Sequence, residues 1–122
     1  MISIDNDTQQ IKETISLYFN GTYHGDSSQL KRAFHPDAHI TGSLNDQICD
    51  WSLTDFITRV TVKPTSADKG EKFDKVILFI DKTNNAAMVK ARAVVGDVIF
   101  TDYITLLKIN SRWVIRNKSF TV

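Results

Sequence analysis

The chain is poor in the residues that cross-link or interrupt a small protein, with one cysteine and two prolines among its 122 residues. The single cysteine, Cys49, cannot form an internal disulfide, and no histidine or cysteine lies near it at metal-ligand spacing. We therefore interpret Cys49 as a small buried hydrophobic residue and not as a catalytic thiol.

Long apolar runs are also missing, because nowhere do about 18 apolar residues follow one another. The amino-terminal residues contain no basic segment followed by an apolar one, which a secretory signal would require. We therefore expect a cytoplasmic protein that does not span a membrane.

Neither sign of charge dominates, since 15 Lys and Arg residues stand against 14 Asp and Glu residues, for a net charge of +1. No basic block is present, which argues against nucleic acid and anionic membranes as partners.

The histidines, His24, His35 and His39, match no metal-ligand spacing, and no phosphate-binding loop or nucleophile motif accompanies them. The sequence therefore predicts neither a metal nor a cofactor. One domain of 122 residues can bury about 65% of the surface that its unfolded chain exposes.

The first half of the chain carries the pattern of helices. Apolar residues recur every three or four positions in the first predicted helix, with Asp7 or Thr8 as its cap and Gly25 at its end. Asp26 opens a second, shorter helix, and Ser52 opens a third. The predicted helices cover residues 8–24, 26–34 and 52–60.

The second half is rich in Ile, Val, Thr and aromatic residues, which favour strands. Its predicted strands cover residues 73–82, 86–95 and a closing hairpin, 98–120, that turns at Asn110-Ser111. Two shorter strands are predicted at 39–41 and 47–51, separated by the turn-forming residues 42–46. Helices followed by an antiparallel meander indicate an α+β domain with the helices on one face of the sheet.

Four segments match a known pattern in order and spacing. They are YFNGTYHGD at 18–26, FHPDA at 34–38, FTDYITLLK at 100–108 and WVIRNK at 113–118. In these segments the chain resembles the nuclear transport factor 2-like (NTF2-like) superfamily, whose cone-shaped, cystatin-like fold includes ketosteroid isomerase, scytalone dehydratase and the SnoaL-type polyketide cyclases. It is most similar to the family labelled putative lumazine-binding. The resemblance implies a curved, mainly antiparallel sheet around the first helix, a pocket between them, and a homodimer through the outer face of the sheet.

Comparison with ketosteroid isomerase extends the resemblance to chemistry. Aligning the matching Gly-Asp pairs places Tyr18 at that family's oxyanion-hole tyrosine, whereas aligning the matching Asp-Ala pairs places Gly42 where the isomerase has its general-base aspartate. The isomerase's protonated aspartate falls nearest Ile104, two residues from Asp102 on the same strand face. The resemblance therefore implies the oxyanion-binding tyrosine without the isomerase's own base.

Asp102 is the most unusual residue of the closing hairpin, because it shares a strand face with apolar neighbours on both sides. A carboxylate there either finds a partner or becomes easier to protonate. A two-residue turn places Asp102 opposite Ser119 and Ile104 opposite Asn117, whereas a register change of one residue places Lys118 across from Asp102. Asp102 is therefore either a pocket acid or half of a structural ion pair or hydrogen bond.

The candidate pocket residues follow from these placements. Tyr18, Asp102 and Asn117 are the expected polar contacts, His35 is expected at the pocket mouth, and Trp51 either packs under the third helix or stacks on a ligand. Tyr103 alternates away from Asp102, toward the outer face of the sheet, and is expected at a dimer contact.

The sequence supports three functions. The first is binding of a small, largely apolar molecule between the first helix and the sheet. The second is a cofactor-free lyase, isomerase or cyclase of the SnoaL type, in which Asp102 exchanges a proton with the substrate and Tyr18 hydrogen-bonds the developing enolate. The third is a non-catalytic interaction or dimerisation module, whose cavity would be filled by its own Phe and Met side chains.

Overall fold

The computed structural model describes residues 5–122 of the chain. Its helices are α1 (Asn6–His24), α2 (Ser27–Ala33) and α3 (Leu53–Val60), and its strands are β1 (Phe34–Leu44), β2 (Gln47–Ser52), β3 (Asp74–Thr83), β4 (Ala86–Val95), β5 (Val98–Ile109) and β6 (Arg112–Thr121). Three helices against a six-stranded mixed sheet confirm the predicted α+β class. Across residues 5–122, none of the helices is long and apolar enough to cross a membrane.

The helices begin at capping side chains, two of which were predicted. Asp26 accepts hydrogen bonds from the amides of Ser28 and Gln29 to open α2, and Ser52 accepts one from the amide of Asp55 to open α3. The prediction for α1 was wrong, because its cap is Asp5, which accepts from the Asp7 amide at 3.1 Å.

Asp7 joins the start of α1 to the sheet instead of capping the helix. Its Oδ1 accepts hydrogen bonds from Trp113 Nε1 and Lys108 Nζ, both at 3.0 Å, and its Oδ2 accepts one from Lys82 Nζ at 3.3 Å. The Trp113 hydrogen bond, followed by the two lysines, lowers the pKa of Asp7 to about 2. These contacts fix the first turn of α1 against β3, β5 and β6.

The strand order in the sheet is β2-β1-β6-β5-β4-β3. Strands β3 to β6 form the predicted antiparallel meander, and β1 joins it by pairing parallel with β6. β1 is much longer than the predicted strand at 39–41, because it begins directly after α2 and runs through Gly42. Pro36, which has no backbone donor, lies where the register with β6 shifts between Phe34 and His39.

The turns between strands use residues that tolerate a positive φ. The turn between β1 and β2 is confined to Asn45 and Asp46, at φ of 52° and 63°, so the predicted turn over residues 42–46 was too long. The turn between β5 and β6 is the predicted pair, with Asn110 at 50° and Ser111 at 65°. Both are two-residue hairpin connections whose left-handed residues match the twist of the flanking strands.

The register of the closing hairpin differs from both predicted alternatives. Thr105 pairs with Asn117 but the next residue pairs with Ile115, which leaves Arg116 as an extra residue on β6. The bulge places Asp102 opposite Phe120 and not Ser119, and it places Ile104 opposite Lys118 and not Asn117. A shift of one residue moves a side chain to the other face of a sheet, so the bulge decides which polar residue of β6 faces inward.

The hydrophobic core lies between the helices and the face of the sheet that they cover, which we call the inner face. Its fully buried side chains come from every layer and include Ile11, Ile15, Leu30, Phe34, Ile40, Val89, Ile104, Leu106 and Ile115. Cys49 is half-buried and packs against the edge of this core, so the prediction of a fully buried thiol was too strong.

Candidate active site

A cavity of about 230 Å³ lies between α1, α3 and the inner face of the sheet. Most of its wall is apolar, with the aromatic rings of Trp51, Phe56, Phe100 and Phe120 prominent. The ring of Trp51 stacks on that of Phe120 with centroids 5.9 Å apart, and Phe100 meets Phe120 edge-on at 5.8 Å. The wall is therefore suited to an apolar or planar ligand.

Gly42 explains how β1 fits under this aromatic wall. It pairs with Phe120 on β6, and a side chain at position 42 would overlap with the Phe120 ring. The position that the isomerase comparison assigned to a general base is thus filled by an aromatic ring. A carboxylate for proton transfer has to come from elsewhere in the cavity.

Three polar side chains meet at one end of the cavity and form what we call the polar triad: Tyr18 from α1, Asp102 from β5 and Lys118 from β6. The Tyr18 hydroxyl donates a hydrogen bond to Asp102 Oδ2 and accepts one from Lys118 Nζ, both at 2.6 Å. Lys118 Nζ also lies 3.9 Å from Asp102 Oδ1. All three side chains are buried, with relative exposures of 4%, 1% and 6%.

The surroundings of the triad are unusually apolar for charged groups. Lys118 Nζ lies 4.6 Å from the ring centre of Phe56, 4.7 Å from that of Tyr18 and 5.3 Å from that of Phe120. Burial lowers the pKa of Lys118, and the Asp102 carboxylate offsets part of this effect. Burial, reinforced by the same carboxylate, raises the pKa of Tyr18 well above its usual value. Tyr18 therefore keeps its proton, while the ammonium form of Lys118 is disfavoured.

Asp102 uses only one of its two carboxylate oxygens. Oδ2 accepts from Tyr18, but Oδ1 is buried and has no hydrogen-bond partner within residues 5–122. A buried carboxylate oxygen without a donor is costly, by about 1–3 kcal/mol, and such an oxygen calls for an explanation. Asp102 is also one of the residues that line the cavity.

Two further cations border the cavity. Lys75 on β3 points to the inner face, and burial together with the Lys118 charge lowers its pKa. Arg59 on α3 lies at the rim with its guanidinium 4.5 Å from the centre of the Trp51 ring. The charged groups of the cavity are therefore three cations and one carboxylate.

The structure brings together three of the five residues predicted for the pocket: Tyr18, Asp102 and Trp51 all line the cavity. The other two placements were wrong. Asn117 is exposed on the opposite face of the sheet, because the bulge at Arg116 turns Lys118 inward in its place. His35 lies outside the cavity lining, and its Nδ1 accepts a hydrogen bond from the Asp37 amide.

Asp102 is both a structural hydrogen-bond partner and a residue of the cavity wall. The carboxylate pairs with Tyr18 and lies near Lys118, as a structural residue would, and it also faces the cavity. Lys118 was predicted only as an ion-pair partner of Asp102, and Lys75 was not predicted at all. The available signal for Lys118 was its spacing of two from Phe120, which places both on one strand face.

Comparisons with known proteins agree with this architecture. A family model described as putative lumazine-binding matches residues 6–121. Crystal structures of NTF2-like proteins of unknown function superpose over 98% of the chain. They come from Silicibacter pomeroyi (TM-score 0.82, 17% identity, 98% of that chain), Shewanella baltica (0.82, 22%, 96%) and Methylobacillus flagellatus (0.81, 26%, 94%). The fold is thus the predicted cone-shaped NTF2-like fold.

One curated protein is similar in sequence across most of its length. It is named "Aldolase FrzH", from Cladobotryum sp., and is 26% identical over 109 residues, which cover 88% of this chain and 84% of that protein.

Proposed function

The chain belongs to the putative lumazine-binding family, and on that premise we propose that it binds a small, largely apolar carbonyl compound and transfers a proton at the carbon next to the carbonyl. This is the chemistry of a cofactor-free lyase, isomerase or cyclase. The observation that carries the proposal is the Oδ1 atom of Asp102, a buried carboxylate oxygen without a hydrogen-bond partner among the described residues, on a side chain that lines an apolar cavity.

The polar triad has the parts that enolate formation requires. Asp102 Oδ1 accepts the proton from the α-carbon of the ligand, which is the role of a general base. Negative charge then develops on the carbonyl oxygen, where Lys118 can donate an N–H that its hydrogen bond to Tyr18 does not use. The apolar rings around Lys118 keep water away and so strengthen these interactions.

The size and lining of the cavity restrict the ligand. A volume of about 230 Å³ is below the range of about 300–1,000 Å³ that is usual for drug-sized ligands, so the substrate is small. The family's description suggests a small-molecule ligand, and the aldolase name of the curated relative suggests the chemistry, because an aldol reaction also starts by removing a proton next to a carbonyl. The cavity is lined rather than filled by its Phe rings, and Met88 pairs with Asp81 on the opposite face, which favours a ligand over an interaction module.

The proposal is tested by filling the cavity. Ala93 lies on the inner face and lines the cavity, so Ala93→Phe places a ring where the ligand would lie. We expect the wild type to accelerate deuterium exchange at the α-carbons of cyclohexanone and benzylacetone, followed by proton NMR in heavy water. Ala93→Phe should lower that rate about tenfold or more, because the ketone can no longer reach Asp102.

Ala86→Phe is the matched control, since Ala86 is exposed on the same strand. It should leave the exchange rate unchanged. If the wild type exchanges neither ketone faster than buffer does, the proposed proton transfer is wrong.

We also propose that two copies of the chain associate through the outer face of the sheet, the face opposite the helices. That face exposes large apolar side chains on two strands, Val76 and Phe79 on β3 and Ile99, Tyr103 and Leu107 on β5, each 38–56% exposed, with β4 between them. Lys90 Nζ lies 5.4 Å from the centre of the Tyr103 ring, and Tyr103 remains 47% exposed. Large apolar side chains exposed on one face of a sheet indicate an interaction surface.

Replacing Tyr103 with glutamate should weaken this dimer, because it places a charge at the centre of an apolar contact. We expect the dimer dissociation constant to rise about tenfold or more, measured by sedimentation velocity across a concentration series. Ser28→Glu, which adds the same charge on the exposed part of α2, should not change it. A wild type that stays monomeric at all concentrations would contradict the proposed interface.

A further inference from the structure

We propose that Lys118 is a covalent nucleophile, whose amine condenses with the carbonyl carbon of the ligand to form an iminium ion. The inference deepens the proposed function and rests on its premise that the cavity takes a carbonyl compound. In this scheme Lys118 activates the ligand through a bond and Asp102 then removes the α-proton. Nothing in the comparisons assigns a role to this lysine.

The position of Lys118 is that of a nucleophile more than that of a stabilising ion pair. Its amine lines the cavity at the end of a buried side chain, against the rings of Phe56, Tyr18 and Phe120. Its hydrogen bond goes to a neutral hydroxyl, and the Asp102 carboxylate oxygen is 3.9 Å away, too far for a hydrogen bond. Lys118 is therefore linked to Asp102 by hydrogen bonds only through the Tyr18 hydroxyl.

The environment also makes the free amine available. Lysines become nucleophilic when an apolar pocket or another cation disfavours their ammonium form. The first condition holds, since burial lowers the pKa of Lys118, and the Lys118 charge in turn contributes to the lowered pKa of the half-buried Lys75. Lys75 points into the same cavity from β3.

The triad can move every proton that the condensation requires. The Lys118 ammonium passes one proton to Asp102 through the Tyr18 hydroxyl, which contacts both groups at 2.6 Å. The free amine attacks the carbonyl carbon, and a proton moves from nitrogen to the former carbonyl oxygen to give a carbinolamine. Asp102 returns its proton to that oxygen, the C–O bond breaks, and water leaves. Ammonium and ketone thus become iminium and water, with no other reagent.

The iminium also makes use of the unpartnered oxygen of Asp102. Once the ligand is bonded to Nζ, its α-carbon lies two bonds from a cationic nitrogen, which makes the α-proton acidic. Asp102, again a carboxylate, faces that nitrogen with Oδ1 at 3.9 Å. Removal of the α-proton by Oδ1 leaves a neutral enamine, the carbon nucleophile of an aldol reaction. Lys118 therefore forms the covalent bond to the ligand, and Asp102 removes the α-proton.

Acetylacetone tests the covalent step without knowledge of the natural ligand. Its condensation with an amine forms a conjugated enaminone and water, and the enaminone absorbs in the near ultraviolet. We expect the wild type to gain this absorbance at one equivalent per chain, with the adduct mapped to Lys118 by peptide mass spectrometry. The rate should rise with pH and level off below the ordinary lysine pKa of about 10.4.

The variants separate Lys118 from the other amines of the chain. Lys118→Arg should lose the one-equivalent adduct, and Lys31→Arg, on the exposed side of α2, should retain it. An adduct spread over surface lysines without preference for Lys118 would overturn the proposal. Peptide mapping of the wild type gives that answer even if Lys118→Arg does not fold.

The two proposals fail in different ways. If cyclohexanone exchanges its α-protons in the cavity but no adduct forms at Lys118, the covalent step is wrong and simple enolisation stands. If the adduct forms at Lys118 but no ketone exchanges, Lys118 is a nucleophile as inferred and the proposed proton transfer is wrong.

Discussion

Replacing Asp102 with asparagine should lower the α-proton exchange of cyclohexanone and benzylacetone by about 10²–10⁴-fold, the usual contribution of a general base. The amide can still accept the Tyr18 hydrogen bond, but its oxygen is far too weak a base to take a proton from carbon. Binding and the shape of the cavity should change little, because the two side chains have the same size. The measurement is the rate of deuterium uptake, compared with the wild type at the same folded fraction.

Stability has to be measured beside the rate, since Asp102 is also a structural partner. Asparagine keeps the hydrogen bond from Tyr18 and places a polar amide beside Lys118, so the free energy of unfolding should fall by about 1–3 kcal/mol, less than for alanine, which leaves a typical domain folded. Asp81→Asn is the matched control, because Asp81 is an exposed carboxylate on β3. If Asp102→Asn lowers the melting temperature yet keeps the exchange rate, Asp102 is a structural residue alone.

Much of the fold could be predicted because the relevant signals are local. The period of apolar residues located α1, the side chains of Asp26 and Ser52 located the starts of α2 and α3, and Asn110-Ser111 located the hairpin turn. The start of α1 was the exception, because two acidic residues stand there within three positions. Which of them caps the helix depends on Trp113, Lys108 and Lys82, and these approach Asp7 only after the sheet has formed.

The long strand β1 could not be predicted from its own residues. The sequence around His35 and Pro36 does not favour a strand, and Gly42 favours a turn. Those residues are extended because β6 pairs with them in parallel, and the Phe120 ring occupies the space that Gly42 leaves. A partner from the far end of the chain thus overrides local preference.

Two residues of the candidate site could be predicted because the periodicity of their own helix or strand decides which way they face. Tyr18 follows from the helix period, and Asp102 follows from its place between apolar residues of β5. The choice between Asn117 and Lys118 depends on one extra residue, Arg116, and nothing in the local sequence marks it. A bulge of this kind moves the side chain of every later residue in the strand to the opposite face of the sheet. The prediction therefore placed the right strand at the cavity but chose Asn117 where Lys118 faces inward.

The largest loss of stability is expected for Asp102→Ala, and its size depends on whether residue 118 is a lysine. Asp102→Ala should lower the free energy of unfolding by about 3–5 kcal/mol, because it leaves a buried ammonium without a counter-charge. Adding Lys118→Met should then recover about 1–4 kcal/mol, since an apolar side chain of similar length suits the rings of Tyr18, Phe56 and Phe120 better than an unpaired charge. Urea unfolding of the wild type, the two single variants and the double variant measures this coupling.

The pH dependence of the free energy of unfolding is an independent measure of the coupling between Asp102 and Lys118. Because folding lowers the pKa of Lys118, the unfolded chain binds more protons at this residue than the folded chain between the lowered pKa and the ordinary lysine pKa of about 10.4, so stability rises with pH in that window. Below about pH 9 the Tyr18 phenol is protonated in both states and does not contribute. Asp102→Ala should steepen the rise, because the lost carboxylate no longer favours the ammonium, and Lys118→Met should flatten it. Purely additive stabilities with unchanged slopes would mean that Lys118 does not depend on Asp102, and the triad would not act as one unit.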